Sequence, residues 1–204
     1  MTWLGLILAL LPAYLVRFTI LGLPTTLLEV LIVVFLFIVL IRLKPAQLAR
    51  LRALGRINWA IGCFVIAGII ATIVSPETLR ALGQLKAFIV EPVLVFYAAV
   101  LQIKNESDLK ITLRWLLAGS VMVSLLGIIQ YFTLLHLPPR FWGSGLEPER
   151  IISVFEHPNE LALYLAPLLI FFTALFANGI TIIKNRFWFA VALLILSTAL
   201  ILTF

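Results

Sequence analysis

From position 150 to 162 the chain reads Arg-Ile-Ile-Ser-Val-Phe-Glu-His-Pro-Asn-Glu-Leu-Ala, setting Arg150, Glu156, His157, Asn159 and Glu160 against the start of a long apolar run. Two kinds of chemistry follow from those residue types. Pro158 suits the first position of a helix, where its missing N–H costs nothing. Glu160 then falls at the third position, from which a carboxylate can reach back to the N–H of His157 and complement the positive end of the helix dipole. Capping accounts for Pro158 and Glu160 and leaves Arg150, His157 and Asn159 unassigned. The other chemistry is anion binding. A helix N-terminus presents N–H groups to negative charge, and Arg150 adds a planar, permanently charged fork matched to phosphate oxygens. Together they would hold a pyrophosphate, with Asn159 orienting a sugar hydroxyl or fixing the loop. His157 reads as an interfacial cap ahead of a catalytic base, and no partner at Glu-x-x-His spacing stands on the same helix, so no metal site is expected.

A second constellation runs from Arg80 to Pro92. At about 100° per residue, Arg80, Gln84, Ala87 and Glu91 share one helical stripe while Lys86 points elsewhere. Glu91 lies about 10 Å below the outer end of its apolar run at ~1.5 Å per residue, too deep for an interfacial residue, and Pro92 beside it can kink the helix and free a carbonyl. One account pairs Glu91 with an interior arginine; the other makes this edge the wall of a cavity. Glu29, early in another apolar run, is either a second intramembrane carboxylate or an interfacial one. The loop Pro138-Pro139-Arg140-Phe141-Trp142-Gly143 mixes a rigid turn with aromatics that anchor at headgroup level, with ligand contact by Arg140 as the second reading.

The elements that position these groups are dictated by composition. Of 204 residues, 63% are hydrophobic and 12% charged, too little polar surface to cover a soluble globule. Apolar runs of about twenty residues recur, the length that crosses ~30 Å of hydrocarbon as helix, and the period-2 alternation of an outer-membrane barrel is absent. The expected fold is all-α, a polytopic transmembrane helical bundle forming one domain. About seven spans are expected, near 3–21, 24–41, 57–74, 84–103, 113–135, 158–178 and 187–204. The first is interrupted by Pro12 and carries Arg17, so a kinked or short helix is expected there. Neither internal repeats nor low-complexity tracts are visible. The last apolar run reaches Phe204 with no polar flank, the pattern of a chain cut within a span.

Charge sets orientation. Arg42, Lys44, Arg50, Arg52 and Arg56, then Lys104, Lys110 and Arg114, then Lys184 and Arg186 all fall on one side if the spans alternate, and the positive-inside rule makes that side, and the N-terminus, cytoplasmic. Segments 75–83 and 136–157 then face outward. Arg17, Arg80, Lys86, Arg140 and Arg150 are left on or near the outer side, against the topological preference. The net charge of +6 is thereby explained by topology, which removes nucleic acid as a partner. Cys63, alone in an apolar run, offers neither a disulfide nor a cysteine metal site.

Arg150, then Phe155-Glu156-His157-Pro158-Asn159, then Leu161-Ala162-Leu163-Tyr164-Leu165 opening a span resembles the signature of the O-antigen ligase and polymerase family of bacterial membrane glycosyltransferases. Ser153 stands where that family often has glycine. Lys86-Ala87 followed by Glu91-Pro92 is similar to the family's fourth-span pattern, and the resemblance follows the whole chain in span order. It implies transfer of an oligosaccharide from an undecaprenyl-pyrophosphate carrier to a glycan, lipid or protein acceptor on the outer side of the inner membrane, with neither nucleotide sugar nor metal and no cofactor. It further implies that Arg150 binds the pyrophosphate and that the catalytic base is a histidine on a large outer loop beyond Phe204, not His157. Arg80, Lys86 and Arg140 join Arg150 and Asn159 as substrate-binding candidates by side and charge, with Glu91, His157, Pro158 and Glu160 supporting. Two other classes fit the same residues: a transporter half with a polar path at Glu91, and a non-catalytic membrane scaffold.

Overall fold

A computed structural model describes residues 3–20, 23–143 and 149–204. Leu21, expected to end the first span, and positions 144–148 of the loop expected to face outward lie outside the described residues. The described residues are mostly helical: α1 (Trp3–Ala9), a 3₁₀ turn (Leu11–Leu15), strands β1 (Arg17–Ile20) and β2 (Leu23–Thr26), then α2 (Leu27–Ile41), α3 (Pro45–Ala53), α4 (Arg56–Ile73) and α5 (Thr78–Leu85). A π-turn (Lys86–Val90) joins α5 to α6 (Glu91–Gln102). There follow α7 (Glu106–Thr133), a short 3₁₀ turn (Pro139–Phe141), α8 (Pro158–Ala177) and α9 (Arg186–Ile201).

Among the described residues, four helical stretches are long and apolar enough to cross a membrane: α4, α5 through α6, α7 and α8. The chain is therefore a helical membrane protein by length and composition. At 15 and 16 residues, α2 and α9 are apolar but rise only about 22–24 Å at ~1.5 Å per residue. The expected first span is not one helix. Pro12 lacks the N–H that would continue α1 and turns the chain into a 3₁₀ segment. Beyond it, Phe18, Thr19 and Ile20 favour extended backbone, and Arg17↔Thr26 through Ile20↔Leu23 pair as an antiparallel hairpin. The basic loop 42–56 also holds more order than expected. Pro45 opens α3, the Lys44 N–H donates to Gln47 Oε1 at 2.9 Å, and Gly55 at φ +52° separates α3 from α4.

The chain folds as two compact units, Met1–Leu28 with Lys110–Phe204, and Glu29–Leu109. The first has the larger apolar core, in which Leu161, Leu165, Phe172, Phe189 and Leu196 of α8 and α9 are sealed, with Ile151 and Phe155 from the preceding loop. Its α1 lies so close to α7 that a Cβ on Gly119 would stand 2.4 Å from the Ala9 carbonyl oxygen. In the second unit α4 buries only Thr72, and Ile73, Phe88 and Phe37 lie open, an apolar exterior that suits lipid as its solvent.

Candidate functional site

The corner at 150–162 is built on the start of α8. His157 is extended (φ −141°, ψ 143°) and occupies the N-cap, where its Nδ1 accepts from the Asn159 N–H at 3.2 Å. Its ring meets the edge of Phe141, 5.4 Å between centroids. The Glu160 N–H donates to the His157 carbonyl at 3.0 Å. The Glu160 carboxylate reaches back one residue further than expected, accepting from the Glu156 N–H at 3.4 Å, not from that of His157. Because Pro158 has no N–H and those of Asn159 and Glu160 are taken by His157, the first turn is satisfied from within. The expectation of free helix N–H groups for an anion is thus corrected, and the remaining donors at this corner are side chains.

Arg150 is the foremost of these. Its Nε donates to the Thr203 carbonyl at 2.8 Å and its Nη2 to Asn159 Oδ1 at 3.0 Å. Its own N–H binds the Phe141 carbonyl at 3.0 Å, and that of Ile151 the Leu202 carbonyl at 3.0 Å. The guanidinium therefore lies across the carbonyl end of α9, where a cation complements the dipole, and is tied to the start of α8. Its Nη1 has no hydrogen-bond partner among the described residues, so one side of a fixed fork remains to receive an acceptor.

The loop bearing Arg150 is held from beneath by a residue whose role the sequence does not suggest. Gln130 of α7, buried to 5% exposure, accepts on Oε1 from the N–H groups of Ile152 (2.9 Å) and Ser153 (2.8 Å) and donates from Nε2 to the Leu135 carbonyl at 3.2 Å. An amide isolated in the run Ile-Ile-Gln-Tyr-Phe is the available signal. Ser153 sits at φ +54°, a left-handed conformation that glycine adopts without strain, and its hydroxyl donates to the Val123 carbonyl at 2.6 Å. Below it, a Cβ on Gly127 would lie 2.7 Å from Ile151 Cδ1, so the loop uses the space this glycine leaves.

Arg140 stacks over the Phe141 ring at 4.8 Å, and Phe141 also touches His157 and receives the Arg150 N–H, which brings this arginine's turn to the same corner. Tyr14 arrives from the 3₁₀ segment, 6.5 Å from Phe155 between centroids. Burial raises the pKa of its hydroxyl above the ordinary value, Glu160 raises it further, Arg17 opposes and Glu156 adds a smaller push. The corner thus mixes cations with carboxylates. Glu149 adds a buried Oε1 with no hydrogen-bond partner among the described residues.

The second polar group is in the other unit. Lys86 Nζ lies 2.9 Å from Glu29 Oε2 and 3.9 Å from Glu91 Oε1, and the lysine side chain is 50% exposed against 15% and 16% for the two glutamates. A regular helical stripe places Lys86 away from Glu91. The π-turn corrects this, because the Glu91 N–H binds the Lys86 carbonyl five residues back and the wider turn sets the two side chains on one face. Pro92 supplies the cause: its ring would strike the carbonyl four residues earlier in a regular helix, and the extra residue relieves that clash. Glu91 therefore pairs with a lysine, not with an interior arginine, and Glu29 belongs to the same cluster. Arg80 stands apart, paired with Glu77 at 3.2 Å with both side chains largely exposed.

The candidates thus fall into an Arg150–Asn159–His157 corner beside Arg140, a Lys86–Glu91 cluster with Glu29, and a separate Arg80. No group of three metal-ligating side chains is found among the described residues. No family model matches the chain, and no match was found among curated proteins or solved structures.

Proposed function

We propose that this chain carries the lipid-pyrophosphate-binding part of a multi-pass membrane glycosyltransferase of the O-antigen ligase and polymerase kind. In this reading it lies in the bacterial inner membrane with its N-terminus cytoplasmic and the 150–162 corner outward. The observation that carries the proposal is the guanidinium of Arg150, oriented through Nε and Nη2 with Nη1 left over, since a fork fixed in this way is matched to phosphate oxygens. Bound there, the pyrophosphate of an undecaprenyl-linked oligosaccharide would gain a cation opposite the negative charge that grows on it as the glycosidic bond breaks. Arg140 is the second cation within reach of that role. Asn159, whose Oδ1 is used by Arg150, retains its amide donor for a phosphate or sugar oxygen. His157, with Nδ1 engaged as a cap, supports the helix start, and the base is assigned to none of these residues.

The test is glycan transfer in cells expressing the protein. Arg150→Ala abolishes product while membrane insertion and protein level are kept; normal product from that variant removes the assignment.

A second reading, a transporter half, is favoured by Glu29, Lys86 and Glu91, because charges inside an apolar span mark substrate or proton paths. It predicts loss of function in Glu91→Gln with Arg150→Ala unaffected, the reverse of the first reading.

A further inference from the structure

Where α2 ends, α3 runs and α6 ends, the unit Glu29–Leu109 contains a cavity of about 710 Å³. Four cations line it, Arg42, Lys44, Arg50 and Lys104, with the amides of Gln47 and Gln102 and an apolar wall from the α2 and α6 ends. No carboxylate lines it among the described residues. Asp108 accepts from the Lys104 backbone N–H at 3.0 Å, and none of the four cations forms an ion pair among the described residues. Arg50 is half-buried and aimed: its Nη1 donates to the Ile103 carbonyl at 3.2 Å, anchoring α3 to the end of α6.

Topology alone asks only that basic residues lie in this loop, and the carbonyl ends of α2 and α6 account for Arg42 and Lys104 as dipole partners. Neither reason makes four cations converge on one concave space. Arg52 and Arg56 belong to the same loop and do not line it, so the convergence is selective. The size falls within the usual range of small-molecule sites, about 300–1,000 Å³. Its charge calls for a phosphate, and its apolar wall, at the ends of the apolar α2 and of the membrane-length stretch that closes with α6, calls for a group that carries hydrocarbon.

We infer that this cavity is a binding site for the phosphate of an anionic phospholipid, drawn from the leaflet that the positive-inside rule makes cytoplasmic. Arg50 and Lys104 hold the phosphate from α3 and α6, Arg42 and Lys44 flank it, and the first acyl carbons lie along Val39, Leu43 and Leu101. The site lies in a different unit from the Arg150 corner and does not depend on the reading of that corner.

The test uses the purified full chain in neutral detergent, titrated with dihexanoyl phosphatidylglycerol, dihexanoyl phosphatidylcholine or inorganic phosphate while the unfolding midpoint is followed. Phosphatidylglycerol raises the midpoint saturably, phosphatidylcholine does not, and phosphate alone is at least tenfold weaker. Arg50→Gln with Lys104→Gln weakens the phosphatidylglycerol response about tenfold, whereas Arg52→Gln with Arg56→Gln, which removes the same amount of charge from the loop that carries Arg50, leaves it within twofold. Equal weakening by the two pairs overturns the site in favour of diffuse charge. An equal response to inorganic phosphate overturns the lipid. If the first pair fails to fold, Lys104→Gln alone is expected to weaken the response about threefold, and no change in that variant overturns the assignment.

Discussion

The corner at 150–162 and the charged turn at 86–91 both set polar groups into apolar surroundings, and they satisfy them in opposite ways. At the corner, Gln130, Ser153, His157 and Arg150 spend most of their hydrogen bonds on backbone groups. That fixes the loop and leaves one side of a guanidinium unused. At the turn, one lysine serves two carboxylates and the backbone is deformed to bring them into range. Amide and guanidinium bonds to backbone are directional and hold a shape, while ion pairs hold charge and tolerate a change of partner. The corner is therefore suited to presenting a ligand group, and the turn to keeping a span charge-balanced.

That contrast can be broken at either end. The largest effect is expected from Gln130→Leu, which strands the N–H groups of Ile152 and Ser153 in a buried place at about 1–3 kcal/mol each and lowers the unfolding midpoint in detergent more than any change at the turn. Lys86→Met comes next. Because the lysine is half exposed, its loss is expected to cost about 1–2 kcal/mol, between the surface and buried limits for ion pairs, and adding Glu29→Gln with Glu91→Gln should restore most of it. Failure of that restoration would mean the pairs do not set the stability of the turn. Gly127→Ala should cost about 1 kcal/mol, since the end of a flexible Ile151 side chain can move aside, while shifting the Arg150 loop enough to lower ligand affinity. Arg80→Ala, which removes an exposed pair, should change stability by less than ~0.5 kcal/mol, and a larger loss by the same measurement would give the first turn of α5 an unrecognised role.

Much of this architecture is legible in the residues alone because lipid demands long apolar helices and sequence displays them directly. The runs that form α4 and α8 show no more than the usual shift at their ends, whereas α7 begins at Glu106, well before the expected 113–135, because the polar residues ahead of the apolar run continue the same helix. Legibility fails where a local conflict beats the apolar pattern. Trp3–Ala9 and Arg17–Ile20 fall in one expected span, yet Pro12 and the β-favouring residues after it convert the second half into a hairpin. A helix of fixed period cannot reveal a π-turn, so a regular stripe puts Lys86 on the wrong face, although Pro92 is the signal for it. The polar knot at 150–162 is visible in the sequence and its support is not, because Gln130 is 20 residues away from Arg150 and meets the loop only through folding. Ser153 carries the hint in reverse: glycine in the resembled family suits the positive φ that Ser153 adopts.

The most direct measurement is the affinity of the full chain, in nanodiscs, for undecaprenyl pyrophosphate against undecaprenyl monophosphate, compared between the unaltered protein, Arg150→Lys and Arg150→Ala, with unfolding midpoints taken alongside. The expected result is a preference for the pyrophosphate that falls at least tenfold in Arg150→Ala and is only partly kept by Arg150→Lys, which retains the charge without the fork. Equal binding of both lipids by all three folded proteins would contradict the role given to Arg150.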